Sequence, residues 1–91
     1  MKLEWINNDF FCVNGTYPFY NVNLFKWFSI RKEEIDVWAN KIVYRVVAID
    51  TNGNDYNICE YESRTAANQE LKEFLKTRGI VAKDDEKILV D

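Results

Sequence analysis

The stretch "FKWFSIRKEEIDVW", residues 25–38, decides how this chain folds. Taken as a helix, it belongs to a stripe of Leu24, Phe28, Ile35, Trp38 and Ile42 near helical spacing. Taken as a strand, it alternates: Phe28 and Ile30 fall on one side, Trp27, Ser29 and Arg31 on the other. Arg31 and Lys32 break the helical stripe, Phe25, Trp27, Ile30 and Val37 lie off it, and alanine is scarce. The strand is the preferred reading, running over 24–32 with a charged turn at "KEEID".

On the N-terminal side the chain reads as short strands between turns. "KLEWI" alternates Leu3 and Trp5 with polar neighbours, and "NND" at 7–9 is a turn cluster. "FFCV" is a second strand closed by Asn14-Gly15, a dipeptide that tolerates positive φ. "TYPFY" reads as an irregular aromatic loop, because Pro18 has no N–H to give to a ladder. On the C-terminal side, "KIVYRVVAID" is a long β-branched run suited to the middle of a sheet. Asn52-Gly53 then signals a hairpin, and "YNICEY" returns as its second strand. Ser63 is an N-cap candidate, and Ala67, Leu71, Phe74 and Leu75 make the apolar stripe of a helix near 64–78. Gly79 fits its stop, and "EKILVD" is a candidate last edge strand. The expected fold is α+β: one domain over 1–91, with a small antiparallel sheet of about five strands, a sixth if the C-terminus adds one, and one amphipathic helix across it.

Composition narrows the function. The 91 residues suffice for one core, and 47% hydrophobic with 15% aromatic residues is a folding composition. Twelve basic and fifteen acidic residues leave a net charge of −3, which gives no general attraction to phosphate backbones or anionic lipid. The apolar runs are too short to span a bilayer. "MKLEWINN" has neither an apolar core nor a cleavage site of a signal peptide, so a cytoplasmic address is expected. Cys12 and Cys59 sit among apolar and aromatic neighbours, as small buried hydrophobes do.

Familiar catalytic constellations are missing from the sequence. There is no histidine, hence no Ser-His-Asp or Cys-His pair within the chain and no histidine-based zinc site. Gly15, Gly53 and Gly79 stand at separate turns and build neither a P-loop nor a dinucleotide fingerprint. "DTNGND" begins like a calcium loop, but its glycine comes too early and no glutamate closes twelve positions. These features point away from an enzyme and imply no cofactor.

Binding is the remaining class. Eleven of the fourteen aromatics lie in the first 44 residues, all three tryptophans among them, more than a small core readily buries. Tryptophan, tyrosine and arginine dominate interface hot spots, and Trp38 between "KEEIDV" and "ANK" is the candidate exposed anchor. The candidate protein-binding residues are Trp27, Arg31, Lys32, Glu33, Glu34 and Trp38, with Asp50 and Asp55 in support from the acidic hairpin. "KWFSIRK" is the best basic–aromatic stretch for nucleic acid, but Glu33, Glu34 and Asp36 follow at once. An open strand edge would equally serve self-association into a homo-oligomer.

The stretch "VVAIDTNGNDYNICEYESRTAANQELKEFL" resembles short, mostly uncharacterised proteins of Gram-positive bacteria, their phages and mobile elements. In that group a strand, an Asn-Gly or Asp-Gly turn and a second strand lead through a serine cap into an alanine-containing helix. The resemblance implies the β-meander-plus-helix fold. It further implies a type of small acidic phage product that includes anti-CRISPR and other anti-defence proteins. On that footing the expected partner is another protein, such as a host defence nuclease met in the host cytoplasm. The alternatives are a structural protein that assembles through its sheet edge and an accessory nucleic-acid binder.

Overall fold

The computed structural model describes residues 2–78 and the backbone of 87–89. In chain order the elements are β1 (Leu3–Trp5), β2 (Phe10–Val13), β3 (Thr16–Asn21), a 3-10 turn (Val22–Leu24), β4 (Phe25–Asp36), β5 (Lys41–Asp50), β6 (Asp55–Tyr61), α1 (Arg64–Lys76) and β7 (Lys87–Leu89). The α+β class and the single amphipathic helix are as expected. The single sheet is not. The strands divide into an antiparallel β1-β2-β3 sheet and an antiparallel β6-β5-β4-β7 sheet. The 3-10 turn redirects the chain between them; Asn21 caps it by accepting from the Asn23 backbone N–H at 3.0 Å. "EKILVD" does supply an edge strand, β7, paired with Trp27–Ser29 of β4. The Gly79 stop and the loop "AKDDE" lie outside the described residues.

Two local expectations need correction. "TYPFY" is strand, not loop: β3 is the outer strand of its sheet, where a proline costs no ladder bond to a further neighbour. A register shift opposite Cys12 absorbs the irregularity at Tyr17-Pro18, whose peptide bond is cis. Asn14 and Gly15, at φ 55° and 71°, form the hairpin turn that precedes it. Likewise "KEEID" is strand rather than turn: β4 runs on to Asp36 because β5 pairs with it row by row, from Arg31↔Arg45 to Asp36↔Lys41. The reversal falls on 37–40. There the Asp36 carboxylate accepts from the backbone N–H groups of Trp38 and Ala39, at 3.1 and 3.2 Å, and Asn40 takes φ 52°.

Bulges settle which side chains reach the core. Phe25 and Phe28 have opposite parity, yet both are buried, because the β4–β5 register slips by one residue at Lys26. The same device opposite Val46 and Val47 puts Ile58 and Cys59 both inside. Below the bulge, Phe28, Ile30, Val46 and Ala48 face inward beneath Ala67, Leu71, Phe74 and Leu75 of α1. The small sheet adds Leu3, Phe11 and the half-buried Trp5 to the same cluster. The Trp5 ring stacks on Phe74 at 4.3 Å with 4° between planes, and Phe11 meets Phe74 edge-on at 5.1 Å. Both sheets and the helix therefore share one aromatic core. Removing any of the completely buried rings costs about 3–5 kcal/mol in such a setting.

Candidate functional site: the projecting β4–β5 ribbon

β6 covers β5 only from Tyr44 to Ile49, and β7 covers β4 only from Trp27 to Ser29. Ile30–Asp36 pair with Lys41–Val46 and, among the described residues, have no strand on their outer edge; only Glu33–Asp36 with Lys41–Val43 lack a third strand on both edges. The result is a two-stranded ribbon reaching roughly 14 Å past the covered part of the sheet, with Ile30–Lys32 at its root. It lengthens a molecule whose principal extents are 42 × 28 × 26 Å. All six residues from Arg31 to Asp36 are exposed.

Apolar side chains gather at the ribbon's end. Trp38 is 99% exposed, Val37 69%, Ile35 41% and Ile42 36%. A second register shift, at Ile35 between the Glu34 and Asp36 rows, changes the parity just before the turn. Large exposed apolar groups that cluster, rather than scatter, mark contact surfaces. The charges along the ribbon balance: Arg31, Lys32 and Lys41 against Glu33, Glu34 and Asp36. Such a balanced strip has no field suited to a polyanion.

Several of those charges are held by neighbouring strands. On the sheet face away from α1, Arg45 donates to Glu33 at 2.5 Å and lies 3.3 Å from Glu60, tying β4, β5 and β6 together. Arg31 donates to Asp55 at 2.6 Å, crossing β5 to do so. Half-exposed pairs of this kind contribute about 0–1 kcal/mol each. Their effect is on shape: they fix the root of the ribbon while its tip stays apolar.

The structure gathers only part of the expected site. Arg31, Lys32, Glu33, Glu34 and Trp38 do share the ribbon. Trp27 lies at its root, half-buried, with the Lys26 ammonium 5.2 Å from its ring centre. Asp55 joins the ribbon's base through Arg31. Asp50 is elsewhere, at the opposite end of β5, about 30 Å from the ribbon tip by strand rise. Its carboxylate organises the 51–54 turn, accepting from the Asn52 and Asn54 backbone N–H groups at 2.8 and 2.9 Å. The Asn54 amide and the Tyr56 hydroxyl donate to the other oxygen at 3.1 and 3.2 Å. These bonds, the one from the Asn54 backbone foremost, hold the Asp50 carboxyl below its usual value. Sequence reading missed Ile35, Val37 and Ile42 as companions of Trp38. The signal for Val37 was available in "DVWAN", where Asp and Asn bracket three residues as a turn requires, whereas Ile35 and Ile42 join it only through the β4–β5 pairing.

Both cysteines are buried and unbridged, as the sequence suggested. Burial pushes the Cys59 thiol up to about 11, which keeps it protonated and a poor nucleophile at neutral pH. Among the described residues no three His, Cys, Asp or Glu side chains converge as metal ligands, and no helix is long and apolar enough to cross a membrane. Comparison with protein-family models, curated proteins and solved structures finds no match to this chain.

Proposed function

We propose that this chain is a non-catalytic protein-binding module whose docking element is the β4–β5 ribbon. The observation that carries the reading is Trp38, 99% exposed at the end of a ribbon with uncovered edges among the described residues. A tryptophan left wholly in water gives up on the order of several kcal/mol of burial free energy that a partner's pocket can recover. The ribbon edges offer backbone N–H and C=O groups to a partner strand, so anchoring and β-addition can act together. Occlusion of a working surface suits a small rigid scaffold with a projecting arm. The partner class that fits the resemblance is a host defence nuclease or complex, with this chain as a phage or mobile-element inhibitor.

The test is affinity capture from a bacterial lysate with the native chain, Trp38→Ala and Arg31→Glu/Lys32→Glu. Capture of a discrete partner, reduced at least about tenfold by Trp38→Ala, is the expected result. Equal recovery by all three proteins removes the ribbon as the docking element. The uncovered edges also favour a second reading, self-assembly through the sheet. Light scattering on the purified chain separates the two: a closed oligomer that Trp38→Ala disperses assigns the ribbon to assembly. Accessory nucleic-acid binding has less support, given the balanced ribbon and the net charge of −3.

A further inference from the structure

At the end of the molecule away from Trp38, a groove of about 260 Å³ opens between the two sheets. Its walls include Phe19, Tyr20, Leu24, Phe25 and Tyr56, and Asp50 is the one charged residue that lines it among the described residues. The rings stand at angles to one another: Phe25 and Tyr56 are 5.5 Å apart at 63°, Tyr20 and Phe25 6.4 Å apart at 49°. Phe19, Leu24 and Tyr56 are 51%, 60% and 41% exposed, so the groove is reached directly from solvent, with the buried Phe25 as its floor.

We propose that this groove binds a quaternary ammonium group. Tilted aromatic rings present their electron-rich faces to an enclosed cation, and methylated ammonium groups lose little hydration on entering such a box. Asp50 adds a fixed negative charge. Both of its oxygens already accept hydrogen bonds, from Asn52, Asn54 and Tyr56. That arrangement discriminates. A primary ammonium has N–H donors that need acceptors, and these acceptors are taken; a trimethylated nitrogen has none to satisfy and gains from the field alone. The Tyr56 hydroxyl donates to Asp50, which enriches the ring's π-system and strengthens its hold on a cation. The site is independent of the ribbon and of what the ribbon docks with.

Choline, its neutral isostere 3,3-dimethylbutan-1-ol and a trimethyllysine-containing peptide are the probes, titrated into the native chain while the aromatic NMR resonances of Tyr20, Phe25 and Tyr56 are followed. Saturable shifts with choline or the peptide, at an affinity about fivefold or more above that of the neutral isostere, are expected. The stronger of the two cations identifies a small metabolite or a protein tail as the source, and either result supports the site. Asp50→Asn, whose one amide oxygen still accepts from the Asn52 and Asn54 backbone N–H groups, weakens the cation about threefold or more and leaves the isostere unchanged. Tyr56→Leu keeps the wall apolar and weakens the cation selectively. Equal binding of choline and the isostere makes the groove a plain apolar slot and overturns the proposal, as does the lack of saturable shifts with both cations.

Discussion

Phe74 touches every layer of the core. Its ring stacks on Trp5, meets Phe11 edge-on and faces Phe28 at 6.5 Å, while its carbonyl accepts from the Trp5 indole N–H at 2.8 Å. The Arg78 guanidinium, 4.3 Å from the Trp5 ring centre, adds a cation–π contact to the same indole. Phe74→Ala therefore removes the ring contacts between helix and small sheet, and a loss of about 3–5 kcal/mol is expected in urea unfolding. Asp50 predicts a pH effect with a definite sign. Its folded-state pKa lies below the ordinary 3.8, so its stabilisation is present above that value and lost as pH falls through the depressed one. Asp50→Ala is expected to lower the urea midpoint at neutral pH, and the gap from the native chain narrows in strong acid. Cys59 offers a third check at this scale. With its thiol held near 11 and its side chain buried, it resists alkylation at mildly alkaline pH until urea unfolds the chain. That a cysteine flanked by "NI" and "EY" is buried was legible in the sequence. The Trp5–Phe74 stack was not, since its partners are 69 residues apart.

Elements with strong local signals matched their sequence closely. Helix α1 starts where Ser63 accepts from the Ala66 N–H at 3.1 Å, and its buried face is the predicted Ala67, Leu71, Phe74 and Leu75. Ser63→Ala is expected to cost about 1 kcal/mol, measured by chemical denaturation with helical circular dichroism as the readout. β4 shows the limit of such reading. Four of the five residues of "KEEID" are charged, which suggests a turn when neighbours alone are considered. The partner strand overrides that preference, because pairing supplies backbone hydrogen bonds while the charged side chains stay in water. Trp38 tests what the ribbon is for. A side chain so exposed supports little of the fold, so Trp38→Ala is expected to stay within about 0.5 kcal/mol of the native chain in denaturation. A larger loss means that the ring packs in solution and is not held out for a partner.

Over the whole molecule, stability is unevenly shared. The helix, the small sheet and the covered part of the large sheet bury the aromatic cluster, whereas the ribbon beyond Lys32 rests mainly on its own ladder and on Glu33–Arg45. Native-state hydrogen exchange is expected to show amides of Phe28, Val46 and Ala48 opening only with global unfolding, and those of 32–36 opening far sooner. Uniform protection across β4 and β5 would contradict a projecting ribbon. The class, the helix and its cap, the two Asn-Gly turns and most strands could be read from the residues alone. Each of these is written within a few neighbouring residues, through turn chemistry, capping and hydrophobic period. The division of the strands into two sheets, the continuation of β4 through its charges, and the placing of Asp50 and Trp38 at opposite ends emerge only in the folded chain. Strand partners are chosen across long stretches of chain, by register, by bulges that reset parity and by how much apolar surface each pairing buries, and neighbouring residues carry no record of that choice.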